Sequence, residues 1–499
     1  MWDYQFQFLM SQTGTCKILF KLLDEDFTPE VFLVGILTKE RNDRSPACVY
    51  PEDDFCIHSS AFNMVLKTAE EILQGYPERQ LRRNHPLERE RQDDDELWRR
   101  SVRDAIRQVI ENNSNKLQDM VYFVAYPATV EGYLVSVVIG LQQDILKKYS
   151  DLTLDSVPLH EFLSIPVAKS LTDAVVESYL NKVYGELQLS EPGYEKSKLN
   201  AEEILRDGAN RFMMGLAFRV DQGAERRYSF LSSCTNIART YYEGTEGAGT
   251  IVLARKDHPS LEQVIQFQTP SKLWETKASR KLLQLASQDF ALHTNSEDLF
   301  GLVKKKKFDD QQEELFTINV LGHHHWTVSH NEQILMGVRY GQPYLPKPPF
   351  DENKLGKDIS VIFKEDITQE SIDLIVTLVR EAERERHGTM LVISSIAKEE
   401  AERLSKGGTR ISPKTLTADL LRNLTSIDGA VLLNPEGTCY ALGVILDGIA
   451  TKYESSARGA RYNSAIRYIH SSKYPALAVV VSEDGGVDFI SNLNFDEHQ

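Results

Sequence analysis

The chain has 499 residues, of which 41% are hydrophobic and 26% charged, and its formal net charge is −16. This is the composition of globular protein, long enough for about three domains, and so acidic a balance argues against a main role in coating nucleic acid, which leaves a basic footprint. No run approaches the roughly 18 apolar residues of a membrane span, and the start, Met1-Trp2-Asp3-Tyr4-Gln5, lacks the basic and apolar segments of a secretory signal. Cys16, Cys48, Cys56, Cys234 and Cys439 are an odd set without zinc-type spacing, so reduced thiols in a cytoplasmic protein are expected.

In chain order, 31–37 reads as a buried strand and 59–74 as a helix. The polar stretch 77–95, rich in Arg, Glu and Asp, reads as an exposed loop. An amphipathic helix follows over 98–110, carrying Val102, Ala105, Ile106 and Val109 at helical spacing, then strands over 120–124 and 133–139 and a helix over 141–149. These elements predict an α/β or α+β domain over 1–155 with no catalytic signature. A second α+β domain, a candidate sensor or regulatory domain, is expected over 156–340: helices at 169–187, 200–217 and 278–286, and strands at 249–255, 261–267, 298–303, 314–320 and 325–329. His323 and His325 fall on one face of the last strand's start, but no second ligand pair accompanies them at metal spacing. A stiff, proline-rich linker covers 341–356, with Pro343, Pro346, Pro348 and Pro349.

The last domain is expected over 357–499. It opens with a predicted strand at 359–363, followed by a helix bearing Ile372, Ile375, Val376, Val379 and Ala382. Three later segments carry chemistry. Ser426-Ile427-Asp428-Gly429-Ala430 puts a carboxylate on a glycine-softened corner opening a buried strand over 430–433, where open α/β sheets bind ligands. Arg458-Gly459-Ala460-Arg461-Tyr462-Asn463 precedes a helix-like run through Ile466, Tyr468 and Ile469, and arginines beside glycine at a fresh helix N-terminus make an anion site. The apolar strand over 477–481 then delivers Ser482 and Glu483 to the sheet's edge.

The order Asp-Gly-Ala, Leu442-Gly443-Val444-Ile445-Leu446, Gly459-Ala460-Arg461, helix, Val480-Val481-Ser482-Glu483 resembles the diadenylate cyclase (DAC) domain, the nucleotide-binding domain also found in the DNA-integrity scanning protein. Gly388-Thr389-Met390-Leu391-Val392-Ile393 resembles that family's glycine-led strand, and the likeness covers roughly 358–490. It implies an α/β fold, a mixed sheet with flanking helices. It further implies condensation of two ATP into cyclic di-AMP and pyrophosphate, with Asp428 and Arg461 catalytic and Asp428 and Glu483 holding Mg²⁺ or Mn²⁺. Nucleotide contacts would come from Gly429, Ala430, Leu446, Arg458, Gly459, Ala460, Asn463, Ser482 and Glu483. One chain holds one motif set, so activity implies a homodimer or higher homo-oligomer; no membrane or nucleic-acid partner is implied. Where the cyclases carry Gly-Thr-Arg-His-Arg, this chain has Gly459-Ala460-Arg461-Tyr462-Asn463, a divergent branch. Two functions stay open: a cyclase, or a weak or inactive nucleotide or cyclic-dinucleotide sensor.

Overall fold

Several strands of this chain are apolar at nearly every position, so both faces of their sheets must be covered, and the helices supply the cover. The computed structural model describes residues 1–39, 42–52, 55, 57–76, 90–113, 119–160, 163–223, 229–243, 247–305, 310–347, 350–364, 367–384, 388–424, 427–451, 453–454, 459–482 and 486–492. It divides into two compact units, Met1–Leu345 and Pro346–Gln499.

The first unit begins with α1 (Gln5–Leu23), a helix that the sequence reading does not find because its apolar residues lie on both sides. Next come β1 (Glu30–Leu37), β2 (Ala47–Tyr50), α2 (Val65–Gly75) and α3 (Glu90–Asn112). The helix α3 starts within the stretch expected to be a loop; 77–89 lies outside the described residues. With β3 (Met120–Val124), β4 (Ala128–Val130) and β5 (Tyr133–Gln142) the sheet order is β2-β1-β5-β3, β4 pairing with β5. Strand β5 continues through Gln142 and only Gln143–Leu146 is helical, so the expected helix over 141–149 is corrected: its first residues, Leu141 and Gln142, pair with β3.

Alternation along β1 and β5 gives the sheet two apolar faces. Phe32, Val34, Leu134 and Val138 meet α2 and α3. Val31, Leu33, Val135 and Val137 meet α1, α4 (Leu171–Leu187) and α5 (Ala201–Val220). Ser170 caps α4 by accepting from the Asp173 N–H (3.2 Å), and Asn200 caps α5 from the Glu203 N–H (3.1 Å). The same core takes in α6 (Phe230–Arg239) and one face of an eight-stranded sheet through Ile251, Leu253, Leu292 and Phe316. Its strands are β6 (Gly249–Ala254), β7 (Gln263–Lys272), β8 (Phe290–Thr294), β9 (Asp298–Lys304), β10 (Leu315–Gly322), β11 (His325–His330), β12 (Gln333–Arg339) and β13 (Gln342–Tyr344), in the order β13-β12-β11-β10-β6-β8-β9-β7. The core thus runs unbroken across residue 155, and the start of the expected linker is strand β13. Cys16, Cys48, Cys234 and Cys439 are free thiols, and burial pushes the Cys16 thiol up to about 12.

The second unit is a three-layer α/β/α arrangement. Its elements are α7 (Glu352–Phe363), α8 (Gln369–Arg384), β14 (Thr389–Ser394), α9 (Ala397–Arg403), β15 (Thr409–Thr415), α10 (Ala418–Leu424), β16 (Ala430–Leu433), β17 (Thr438–Val444), α11 (Ala460–Ser471), β18 (Ala476–Val481) and β19 (Val487–Ser491). The sheet order is β15-β17-β16-β14-β18-β19, with β14 and β16 parallel and the other pairs antiparallel. Leu391, Ile393, Val431 and Leu433 face α7, α8 and α10, whereas Met390, Val392, Ala430 and Leu432 face α9 and α11. The strand expected over 359–363 is corrected: these residues end α7. Ile-Ser-Val-Ile-Phe read alone suggests a strand, but Leu355, Ile359, Ile362 and Phe363 share the buried side of a helix capped by Asp351, which accepts from the Lys354 N–H (3.0 Å).

Within the first unit a buried ion pair ties four segments together. Arg219 Nη1 lies 3.5 Å from Glu313 Oε2, and the two side chains are 2% and 6% exposed. Arg219 Nη2 also donates to the Leu154 and Ala168 carbonyls, while Glu313 accepts from the Thr153 hydroxyl and the Leu154 N–H. Removing one partner strands the other charge, at a cost of about 3 to 5 kcal/mol. Glu313→Ala is therefore expected to lower the stability of the first unit by about that much in urea denaturation; a loss under about 1 kcal/mol would contradict this reading of the pair.

Candidate functional site

The site is built at the mouth of β16, and its shape begins with two glycines. Gly429 has φ +100° and Gly443 φ +61°, both in the left-handed region. A Cβ on Gly429 would stand 2.6 Å from the Gly443 carbonyl carbon, and one on Gly443 would stand 3.0 Å from Ile427 and 3.1 Å from the Asp428 oxygen. Only bare backbone permits that approach. The β16–β17 ladder shifts register between Ala430 and Leu432, so the chain leaves the sheet at this corner with Asp428 turned outward. Its side chain is 95% exposed and one carboxylate oxygen accepts from the Gly429 N–H (3.1 Å).

The second component arrives 33 residues later. Gly459 is the N-cap of α11 in extended conformation, with no side chain over the helix end. Ala460 and Arg461 are the first two helical residues, so the N–H groups of that turn have no intrahelical partner. Arg461 Nη2 lies 3.3 Å from the Asp428 carboxylate, and its Nε is buried without a hydrogen-bond partner. The sequence-expected pair Asp428 and Arg461 is thus brought together in space. Asn463 lies one turn on, its N–H donating to the Gly459 carbonyl (3.2 Å), and Tyr462 packs against the apolar core beside α11.

Other expected site residues are placed differently. Ala430 is fully buried at the start of β16. Leu446 is 8% exposed and belongs to the core between the sheet and α11. Ser482 closes the β18–β19 turn, its N–H (2.8 Å) and hydroxyl (3.0 Å) both donating to the Gly486 carbonyl. Arg458 and Glu483 lie outside the described residues. Glu454 accepts from Arg467 and from the Thr451 N–H. In the first unit, His323 Nε2 lies 2.9 Å from the Arg239 carbonyl and His325 Nε2 2.8 Å from the Tyr344 hydroxyl.

Among the described residues no group of three or more His, Cys, Asp or Glu could hold a metal ion. Among the described residues the corner offers one exposed carboxylate, that of Asp428. A lone carboxylate could hold a hard cation such as Mg²⁺ or Mn²⁺ only if most of the cation's ligands came from outside the chain. It does not make an all-protein cage.

Sequence reasoning misses the residues that hold the loop after β17. Arg403 on α9 grips Asp447 with two donors (2.5 and 2.9 Å) and is itself held by Glu400 (2.9 and 2.7 Å), which accepts from the Tyr468 hydroxyl (3.0 Å). The Glu400–Arg403 spacing is visible in the sequence; Asp447, 44 residues away, is not. On the other side of the loop, a Cβ on Gly448 would stand 2.5 Å from the Arg467 backbone. Hydrogen bonds from Arg403 hold the Asp447 carboxyl below the usual carboxylate range. The clamp therefore contributes above the unfolded carboxylate value of about 4 and is lost as pH falls through the depressed folded value. Arg403→Ala should raise amide exchange across 445–451 at neutral pH while leaving β14 and β16 protected; unchanged exchange in the loop would show that the clamp does not hold it.

Three families match along the chain. Residues 1–213 match DACNG and 228–332 match DACNH, each described as a "probable sensor domain", and 376–493 match DAC, described as DisA bacterial checkpoint controller nucleotide-binding. Among solved structures, a hypothetical membrane spanning protein from Bacillus cereus is 25% identical over 28% of this chain and 67% of its own, with a TM-score of 0.23. A double mutant of DacA from Staphylococcus aureus is 21% identical over 26% of this chain and 95% of its own, with a TM-score of 0.21. No curated protein matches. No helix among the described residues is long and apolar enough to cross a membrane. The motif order along the chain, the mixed sheet that carries it and the matching family agree: the second unit contains a DAC domain, a member of the DisA nucleotide-binding family.

Proposed function

We propose that the DAC domain condenses two ATP molecules into cyclic di-AMP. Each 3′-hydroxyl attacks the α-phosphate of the other nucleotide and each attack expels one pyrophosphate, so two sites on two copies of the chain must face each other. The observation that carries this reading is the 3.3 Å meeting of Arg461 with Asp428 at the strand mouth. An exposed ion pair of this kind contributes little to stability, whereas an anion-binding cation beside a metal-binding carboxylate is what a nucleotide triphosphate requires.

Arg461 and the free N–H groups of the α11 turn would receive the phosphates, and the glycine corner at Gly429 would admit the nucleoside close to backbone. Asp428 would hold Mg²⁺ or Mn²⁺ together with the phosphates; the cation supplies charge neutralisation on the reacting phosphoryl group. Arg458 and Glu483 would complete the ring of contacts. The two matched sensor domains in the first unit would set when the site works.

A second reading, nucleotide or cyclic-dinucleotide sensing without turnover, has one observation in its favour. Tyr462 and Asn463 replace the histidine and second arginine of the cyclases, and Tyr462 packs against the core. Incubation of the wild-type chain with ATP and Mn²⁺, with products separated by mass, distinguishes the two. The cyclase reading expects a product at the mass of cyclic di-AMP, and bound but unconverted ATP would select the sensor.

Two variants test the residues. Asp428→Asn should keep the fold and remove turnover, because an amide cannot supply the metal's charge; product formation at the wild-type rate would exclude Asp428 from the reaction. Arg461→Ala should weaken ATP binding by about ten- to a hundredfold, the equivalent of a charge-assisted contact of roughly 1.5 to 3 kcal/mol. Adenosine affinity should hardly change. Equal losses for both ligands in calorimetry would mean that Arg461 supports the fold and not the phosphate.

A further inference from the structure

Leu345, the last residue of the first unit, is 5% exposed and belongs to that unit's core. A few residues on, Phe350 packs edge to face on Phe489 of β19 at 5.8 Å, and Asp351 caps α7. Between them Lys347 lies across Gly486: a Cβ at that glycine would stand 2.1 Å from the lysine Cδ and 2.5 Å from its Nζ. Lys347 and Phe350 are three residues apart, as are Gly486 and Phe489, so the two contacts keep step along β19. That strand is the outer edge of the sheet, beside β18, the kind of edge that proteins cover. Gly486 is not in the left-handed region, so its own backbone does not call for glycine; the lysine stem does.

The register of the sheet gives Gly486 its importance. Met390 pairs with Ala430, Thr389 with Val481, and Val481 with Val487, so the starts of β16, β14 and β19 and the end of β18 share one edge of the sheet. Asp428 stands on one side of that mouth. The turn that Ser482 closes on the Gly486 carbonyl stands on the other, three strand spacings or about 14 Å away. Whatever shifts Gly486 therefore shifts the far wall of the mouth.

We propose that the linker is a strap by which the sensor region sets the β18–β19 turn, with Leu345 as its upstream anchor and Lys347 as its seat. Pro346, Pro348 and Pro349 each fix φ and restrict the residue before them, so a displacement of Leu345 is carried to Lys347 instead of being absorbed by rotation. The downstream end does not yield: Arg380 on α8 grips Glu352, in the first turn of α7, with two hydrogen bonds of 2.6 Å. Lys347 itself is exposed, and an exposed contact by a flexible side chain contributes little to stability. Such a seat can be left and retaken without unfolding either unit. The strap rests on the nucleotide reading of the mouth for its consequence at the site, and the mechanical link does not.

The test uses the full-length chain and two readouts. In amide exchange without nucleotide, Lys347→Ala should raise exchange at 486–489 by about tenfold, while 390–393 and 430–433 stay protected. Gly486→Ala, whose methyl takes the place of the lysine stem, should do the same, and Lys347→Arg, which keeps a long cationic stem, should restore protection. Leu345→Ala should raise exchange at the same positions, whereas Val183→Ala, another truncation in the first unit's core, should not. In calorimetry, Lys347→Ala and Gly486→Ala should each weaken ATP binding by about three- to tenfold, and the double variant no more than either alone, since both remove one contact. Unchanged exchange at 486–489 in both seat variants would overturn the proposal. So would exchange that responds to them but not to Leu345→Ala, which would make the linker a static edge cover. The expected exchange changes in a chain that binds no ATP would instead sink the nucleotide reading and leave the link standing.

Discussion

The candidate site depends on a backbone contact, the approach of Gly429 to Gly443 at the open end of the β16–β17 pair. Any side chain at 429 would meet the Gly443 carbonyl carbon at 2.6 Å, and both residues occupy conformations that glycine alone adopts readily. This contact closes the corner so tightly that Asp428 has nowhere to go but outward. A larger residue at either position would spread the strands and move the carboxylate away from the helix end that carries Arg461. The chemistry of the site is thus set first by sterics and only then by charge.

Around that corner, polar pairs fix elements that the core does not fully position. Glu381 on α8, only 8% exposed, accepts from Arg422 on α10 (3.1 and 2.9 Å), which orients the helix leading into the Asp428 corner. Arg403 and Arg467 hold the loop that follows β17 from two sides. Contacts this exposed contribute little to overall stability; their effect is to limit the conformations of a loop that carries exposed Ile445 and Ile449. The helix α11 then needs no side-chain cap at Gly459, which leaves its first turn accessible to an anion.

Three central strands of the second unit, β14, β16 and β18, are readable from sequence because they are short and buried along their whole length. Residues 390–393, 430–433 and 477–481 all fall in strands. The conjunction of Asp428 with Arg461 is readable too, since motif order places both at one end of the sheet. What sequence leaves unread follows from context. The window 359–363 is β-branched and apolar, yet the Asp351 cap and Leu355 one turn earlier place it in a helix, which shows that local propensity yields to periodicity over a longer span. The helix α1 escapes a periodicity reading because it is apolar on two sides. Leu446 lies in the core and Ser482 in a turn, placements that no linear pattern distinguishes. The continuous core of the first unit across residue 155 is likewise invisible, because the helices α4 and α5 that join its two sheets serve both at once.

Amide hydrogen exchange with and without ATP and Mn²⁺ tests whether nucleotide binds at the Asp428–Arg461 corner. Protection should concentrate at 427–430 and 459–463, with adenosine protecting the first segment and leaving the helix turn of the second unchanged. Protection confined to other parts of the chain, with these two segments unaffected by ATP, would contradict it.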